Sequence, residues 1–408
     1  MFGNLLRRGS RSEQHTKSGA STSPKAWPAG EELGEANGAA ELTEARVMEA
    51  LAEVVDPELH RSIVELNMVR GVRIRNGTVE ADIALTIPGC PMRATIESRV
   101  KEKLLPLPGV KQVVVNLGTM TEEERQAVIA KVTGQSVAER RKSPLADPAS
   151  KTMVICIASG KGGVGKSSVT ANLAAALVKR GHSVGVLDAD VYGFSIPRML
   201  GVSGRPTMID HMLIPLEKDG LRVLSMGHFV DEDQAVLWRG PMLHKFVRQL
   251  LVDVYWNDPD FLLIDLPPGT GDVGITISGE LPGAGLIVVT TPQRAASTVA
   301  GRVAELLVGH GRMRLLGVVE NMSYFTTPSG ERIPIFGEGE GQRLAARLGV
   351  PLLAQIPIDV KLREGGDSGR PVVFLDESSE AAQAFTKLAE RVVALAQRKP
   401  MALPVVPS

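Results

Sequence analysis

The octapeptide Gly160-Lys161-Gly162-Gly163-Val164-Gly165-Lys166-Ser167 places four glycines, two lysines and a hydroxyl in the spacing GxxxxGK[ST]. The chemistry such a loop performs is capture of a nucleoside triphosphate. About four negative charges must be met by backbone N–H groups and ammonium, and bare glycines let the polyanion approach a helix N-terminus closely enough. In this pattern Lys166 reaches the β and γ phosphates, and the Ser167 hydroxyl ligates the Mg2+ that bridges them. The expected binding set is Gly160, Lys161, Gly162, Gly163, Val164, Gly165, Lys166, Ser167 and Ser168.

Residues 160 to 165 also fit the dinucleotide pattern GxGxxG, with Asp188 and Asp190 at nearly the distance of a ribose-binding acid. Two features favour the phosphate loop. Lys166 and Ser167 follow the last glycine, and a second apolar run ending in aspartate, Phe261 to Asp265, supplies an acid that holds a water on the metal. Ser167 and Asp265 are therefore the expected Mg2+ site. Asp190 is expected to orient the attacking water, and Lys161, Lys166 and Asp190 are the catalytic candidates. Asp188 is equally well read as an ordinary loop acid. The loop pattern does not require Lys161, which either is solvated or gives positive charge to a facing subunit's nucleotide, as an arginine finger does.

The elements that must position these groups are legible in the apolar pattern. Thr152 to Ala158 reads as a buried strand, and Val169, Leu173, Ala176 and Leu177 recur at helical spacing after the loop. Further apolar strands at 183–187, 261–265, 286–290, 315–319 and 352–356 alternate with helical stretches at about 241–256, 295–308 and 379–397. Such alternation implies a parallel sheet covered on both faces, with ligands at the carboxyl ends of its strands. Ahead of it, Val47, Leu51 and Val54 form a helix face, 78–86 alternates like a half-buried strand, Ile96, Val100 and Leu104 suggest a second helix, and 113–117 another strand. The expected fold class is α/β, a parallel-sheet P-loop NTPase domain preceded by a small α/β domain. The expected boundaries are a disordered tail at 1–41, the small domain at 42–133, a polar, proline-punctuated linker at 134–150, the NTPase domain at 151–398 and a C-terminal tail at 399–408.

Composition removes several classes. The 408 residues carry 46 basic and 46 acidic side chains, so no global field attracts nucleic acid or an anionic membrane. No apolar run approaches the roughly 18 residues of a membrane span. Only Cys90 and Cys156 are present, which excludes a disulfide framework and fits a reducing cytoplasm. The first 28 residues are rich in Arg, Lys and Ser with one acid, Glu13, a bias shared by organellar transit peptides and disordered tails; we read a tail. Cys156 sits mid-strand and reads as core. Cys90, between two prolines on a loop near a helix start, is where a lowered thiol pKa and a metal or cluster contact are expected. The seven histidines form no spaced pair, and Asp56 and Glu58 either shape a loop or cap a helix.

Several separate motifs in order resemble one family. KGGVGKS at 161–167, DADVYGFSIPRMLG at 188–201, RGPMLHK at 239–245, LLIDLPPGTGD at 262–272 and ENMSYF at 320–325 are similar to the Mrp (ApbC) branch of the MinD and ParA type ATPases, over Thr152 to Gln397. Asp56-Pro57-Glu58, SIVELNMV at 62–69 and LTIPGCPM at 85–92 resemble the iron-sulfur assembly domain often fused ahead of such ATPases. The resemblance implies a homodimer that sandwiches two ATP molecules, with Lys161 crossing the interface and Asn321 and Pro357 at adenine. It also implies binding of iron-sulfur clusters and their delivery to recipient apoproteins. The alternative is a MinD- or ParA-like regulatory or positioning ATPase without a cluster. Many members carry a Cys-Pro-x-Cys pair after the NMSYF segment, where this chain has Thr326-Thr327-Pro328-Ser329-Gly330. Hydroxyls are poor ligands for a soft cluster, which leaves Cys90 as the candidate thiol.

Overall fold

Residues 78–85 alternate inward and outward, and the Asn76-Gly77 step before them takes φ of 52° and 84°, the geometry of a two-residue hairpin turn. The computed structural model, which describes residues 42–87, 90–133, 143–147, 149–191, 193–229, 240–309 and 312–397, accordingly pairs β1 (Val69–Arg75) antiparallel with β2 (Thr78–Leu85). Strand β3 (Gln112–Thr119) lies parallel to β2 on its other side. Helices α1 (Glu44–Ala52) and α2 (Arg93–Leu104) bury Val47, Leu51, Ile96, Val100 and Leu104 beneath this sheet's apolar positions. The first unit ends at Thr119. The tails read at 1–41 and 399–408, and most of the 134–150 linker, lie outside the described residues.

The sequence groups residues up to 133 with the first segment, whereas helix α3 (Glu122–Thr133) falls in the second unit, which begins at Met120. There the Arg125 guanidinium donates to Asp210 Oδ1 at 2.9 Å.

In the second unit, unbroken apolar runs give buried strands. β4 (Met153–Ser159), β5 (Val184–Asp188), β9 (Leu221–Ser225), β10 (Phe261–Asp265), β11 (Gly285–Thr290), β12 (Arg314–Glu320) and β15 (Leu352–Gln355) form a parallel sheet in the order β15-β12-β11-β4-β10-β5-β9. β8 (Leu216–Lys218) closes one edge antiparallel to β9. Every residue of β5, β10 and β11 is buried, so both faces are covered. All six strands expected from the sequence are present. The edge pair β8 and β9 was not expected, although the Asp219-Gly220 turn between them, at φ of 50° and 78°, is a hairpin signal. Two short hairpins, β6 (Thr207–Ile209) with β7 (Met212–Ile214) and β13 (Phe325–Thr326) with β14 (Arg332–Ile333), stand outside the main sheet.

The covering helices are α4 (Lys166–Lys179), α5 (Ile196–Leu200), α6 (Gly240–Val252), α7 (Asp272–Glu280), α8 (Arg294–Gly309), α9 (Glu340–Leu348), α10 (Val360–Ser368), α11 (Val372–Leu375) and α12 (Glu380–Gln397). Helix α12 buries Ala382, Phe385, Leu388 and Val392 and packs on α4. Helix α6 stops four residues before the expected Trp256. Its continuation is claimed by β7: Leu213 donates to Asp253 O and Tyr255 donates back to Leu213 O, both at 2.8 Å. What matters for function is that β4, which feeds the glycine loop, lies between β11 and β10. Register then sets Asp265 beside Asp188 at the carboxyl ends of adjacent strands.

Candidate functional site

The chain leaves β4 at Ser159 and turns through the glycines into α4. Gly160 backs onto helix α8, where a Cβ would lie 2.3 Å from Ala300 N, so no side chain fits. Gly165 is left-handed at φ 79° and starts the helix; a Cβ there would meet Asn321 Nδ2 at 2.2 Å. The result is a bare run of amides at a helix N-terminus, facing a cleft of about 520 Å3 that Asp190, Met199 and Pro267 also line.

Lys166 is only 6% exposed, and its ammonium is held by carboxylates: Nζ lies 2.5 Å from Asp265 Oδ2 and 3.8 Å from Asp190 Oδ2. Ser167 Oγ donates to the same Asp265 Oδ2 at 2.6 Å. Lys166, Ser167, Asp190 and Asp265, expected from three separate stretches of the sequence, are thus brought together. A hydroxyl and a carboxylate oxygen are hard donors of the kind that fits Mg2+, and in this structure the Lys166 ammonium lies against both, 3.3 Å from Ser167 Oγ. Asp265 itself is fully buried, and its Oδ1 accepts from Thr170 Oγ1 at 2.6 Å. Thr170 also lies 3.1 Å from Lys166 O, but it has one hydroxyl proton, and the shorter, ionised acceptor is the better partner. Sequence reasoning missed Thr170. Its signal was its place one helical turn after Lys166, on the same face of α4.

Asp188 does different work from Asp190. Its Oδ2 accepts from the amides of Ser195 and Ile196, each at 3.2 Å, and from Ser225 Oγ at 3.1 Å, so it fixes the start of α5. Burial, and then the neighbouring Asp265 carboxylate, push Asp188 up to about 7. Asp190 lines the cleft, with Oδ1 accepting from Gly193 N at 3.1 Å. Lys161 Nζ donates within its own chain to Gln293 Oε1 at 3.1 Å, a partner the sequence did not reveal.

A second cavity of about 570 Å3 shares Gly165, Ser168, Ser195 and Met199 with the first. Asn321 and Pro357 both line it, beside Met322, Ile335, Phe336 and Ile358. Asn321 Nδ2 donates to Val164 O at 2.9 Å, while its buried Oδ1 accepts no hydrogen bond among the described residues. Walls that are largely apolar, with Arg198, Asp359, Arg363 and Asp367 also in the lining and a buried acceptor at Asn321, suit a flat heteroaromatic ring joined to the phosphates next door.

In the first unit the expectation of a lowered thiol pKa at Cys90 is corrected. The residue is 6% exposed, and burial, reinforced by the charges of Glu58 and Asp56, pushes the thiol up rather than down. Proximity to the α2 start does not offset removal from water. Asp56 accepts from the amides of Glu58 at 2.9 Å and Leu59 at 2.8 Å, which makes it a turn cap. Cys156 is core, as expected: it is fully buried in β4, with its thiol pushed up to about 12 by burial alone. Among the described residues no three His, Cys, Asp or Glu side chains converge as a metal cluster site. Nor is any described helix long and apolar enough to cross a membrane.

A central strand, a glycine loop opening a helix, a lysine on the phosphate side and a strand-end aspartate paired with the loop hydroxyl define a P-loop NTPase. Residues 150–393 match the family described as NUBPL iron-transfer P-loop NTPase, and residues 44–117 match that of an iron-sulfur cluster assembly protein. The iron-sulfur cluster carrier protein of Mycobacterium leprae is 46% identical over 359 residues, covering 86% of this chain and 93% of that one. The protein of the same description from Bacillus subtilis is 35% identical over 354 residues, covering 86% and 97%. A nucleotide-binding protein from Archaeoglobus fulgidus, solved in complex with ADP, shares 37% identity over 58% of this chain and 93% of that one, with a TM-score of 0.50. The chain belongs to the iron-transfer P-loop NTPase family, with an iron-sulfur assembly domain ahead of the NTPase domain.

Proposed function

We propose that the chain is an ATP-hydrolysing iron-sulfur cluster carrier, a cytoplasmic homodimer that binds clusters and transfers them to apoproteins under control of its nucleotide state. The observation that carries the nucleotide half is the meeting of Lys166, Ser167 and Asp265 at the end of the glycine loop. The ADP in the related A. fulgidus structure supports it. On binding, Lys166 Nζ exchanges the Asp265 carboxylate for oxygens of the β and γ phosphates, and Asp265 and Ser167 become free to hold Mg2+. Mg2+ held by Ser167 and Asp265 would supply positive charge to the phosphate oxygens. Asp190 orients the attacking water, and Lys161 leaves Gln293 to reach the partner's nucleotide. Asn321 and Pro357 take the adenine, with Asn321 Oδ1 accepting from an exocyclic amine.

The cluster half rests on the names of the relatives and on the two matched families. Residues 326–330 offer only hydroxyls, and Cys156 is locked in the sheet, so the thiolate contact falls to Cys90. One thiol per chain cannot complete a four-thiolate set, and two copies still leave places for a recipient's cysteines. Lack of a cysteine pair is also what favours the rival, a positioning ATPase without cargo.

Calorimetry with MgADP and a phosphate-release assay test the first half: Lys166→Ala abolishes both signals, and unchanged turnover refutes the loop assignment. Lys161→Ala lowers turnover while leaving binding intact; a fully active variant refutes charge donation across a dimer. Anaerobic reconstitution with iron and sulfide, followed by absorption spectroscopy, tests the second half. Uptake that is lost in Cys90→Ser supports it, and no uptake by the wild type selects the rival.

A further inference from the structure

Ile335 and Phe336, which line the second cavity, follow directly on the β13–β14 hairpin, yet little holds that hairpin in place. Its ladder is two residue pairs long, Phe325 with Ile333 and Thr326 with Arg332. A two-stranded ribbon of that length does not stand alone in water. The first strand is tied down: Ser323 N donates to Ile356 O at 2.9 Å and Ile358 N donates to Tyr324 O at 2.7 Å, beside the Pro357 side of the cavity. The second strand, which leads into Ile335 and Phe336, has no such backbone partner beyond the hairpin among the described residues.

What secures it is a carboxylate on another element. Glu380 opens helix α12, whose next residues Ala381 and Ala382 and then Phe385 are sealed in the core. Its Oε2 accepts from Thr326 Oγ1 at 2.6 Å, and its Oε1 accepts from Tyr324 OH at 3.0 Å and from the Arg332 guanidinium at 2.6 Å. Arg332 also stacks over the Tyr324 ring, 4.3 Å from its centroid. Both strands are therefore pinned to one rigid point. Burial opposes the charge, but the three donors win and hold the Glu380 carboxyl below its ordinary range. A single exposed ion pair is worth little, whereas three donors converging on a carboxylate at a helix N-terminus make a network.

We propose that Glu380 is a positioning residue for the nucleotide's base: by clasping the β13–β14 hairpin it keeps Ile335 and Phe336 in the lining of the cavity they share with Pro357 and Ile358. The clasp touches neither phosphate nor metal. This inference rests on the reading of the second cavity as the base pocket, so its test must separate base from phosphate.

Titration calorimetry of the full chain with Mg2+ and either ATP or inorganic tripolyphosphate does so. Tripolyphosphate reads the glycine loop alone. Glu380→Ala weakens ATP binding by about tenfold and leaves tripolyphosphate within about twofold, a split that general unfolding cannot produce. Arg332→Met, at an exposed position that does not threaten folding, gives a smaller loss of the same kind. The double variant loses less than the product of the two, because both act through one clasp. Glu380→Gln, whose single amide oxygen still accepts from one of the two hydroxyls, recovers part of the affinity. Equal ATP affinity in wild type, Glu380→Ala and Arg332→Met overturns the proposal, and so does equal weakening of both ligands. Wild-type protein that takes up neither ligand refutes the nucleotide reading and this inference with it.

Discussion

Thr170→Val is the sharpest probe of how the site is held together. The substitution keeps the shape of a side chain that is fully buried and removes only its hydroxyl. That hydroxyl is the sole donor to Asp265 Oδ1 among the described residues, at 2.6 Å, and Lys166 and Ser167 serve the other oxygen. Losing a hydrogen bond to an ionised acceptor, and leaving a buried oxygen without a donor, costs about 2 kcal/mol. A loss of that size is roughly thirtyfold in an equilibrium constant. It divides between two observables. Without its anchor the carboxylate turns about its last bond, so the Oδ2 that faces Ser167 loses direction, and MgADP binding falls by about tenfold on the same conversion. Metal-free ADP, which does not use Asp265, stays within about twofold of wild type. The remainder appears as a lower urea midpoint in the nucleotide-free protein. Thr170→Ser, which keeps the donor and loses a methyl, recovers metal-dependent binding more than it recovers stability. If Thr170→Val matches wild type in both urea midpoint and MgADP affinity, Asp265 is not held as described and the argument for its orientation fails.

Gly165→Ala forces a side chain into φ 79° and onto Asn321 Nδ2. The left-handed conformation costs about 1–2 kcal/mol and the lost Asn321–Val164 bond about 1 kcal/mol, so calorimetry with MgATP should show at least a tenfold loss; undiminished affinity contradicts the packing of loop on Asn321. His228 offers a pH test, because burial pulls it from its ordinary value down to about 4. The unfolded chain then binds a proton that the folded one refuses, so stability is intact above about pH 6.5 and falls as pH drops toward about 4. Urea midpoints across that window should flatten in His228→Gln, and identical slopes in variant and wild type would dismiss the assignment. Cys156, pushed up to about 12 in the middle of β4, should resist iodoacetamide in the native protein and react only in urea. Mass spectrometry that finds it alkylated under native conditions contradicts its place in the sheet.

What could be read in the sequence and what could not divide along a physical line. A triphosphate is bound by consecutive amides, so the eight residues from Gly160 to Ser167 must be contiguous, and contiguity is visible without a structure. Asp265 was legible for a related reason, since the carboxyl end of a buried strand is where a parallel sheet presents its ligands. The groups that aim these residues obey no such rule. Thr170 meets Asp265 across 95 positions of chain and Glu380 meets Tyr324, Thr326 and Arg332 across 48 to 56, and any well-placed hydroxyl or carboxylate would have served. Lys161 resting on Gln293 is likewise visible only once β11 has been set beside β4.

Cys90 shows how the same gap can mislead. Its flanking prolines and the nearby helix start argue for an activated thiol, because those are the neighbours that sequence displays. Its actual neighbours include Asp56 and Glu58, far back in the chain, and its environment is largely dry. Both raise the cost of a thiolate, so a cluster contact at Cys90 needs a compensating positive charge brought by the iron itself. Thiolate formation and metal arrival are then linked: alkylation of Cys90 in the metal-free protein should be slow and should accelerate as pH rises, whereas iron should displace the proton at neutral pH. Proton release measured on anaerobic addition of ferrous iron, absent in Cys90→Ser, is the expected signature. Rapid alkylation of metal-free Cys90 at neutral pH would show that the thiol is already activated and that this account of its burial is wrong.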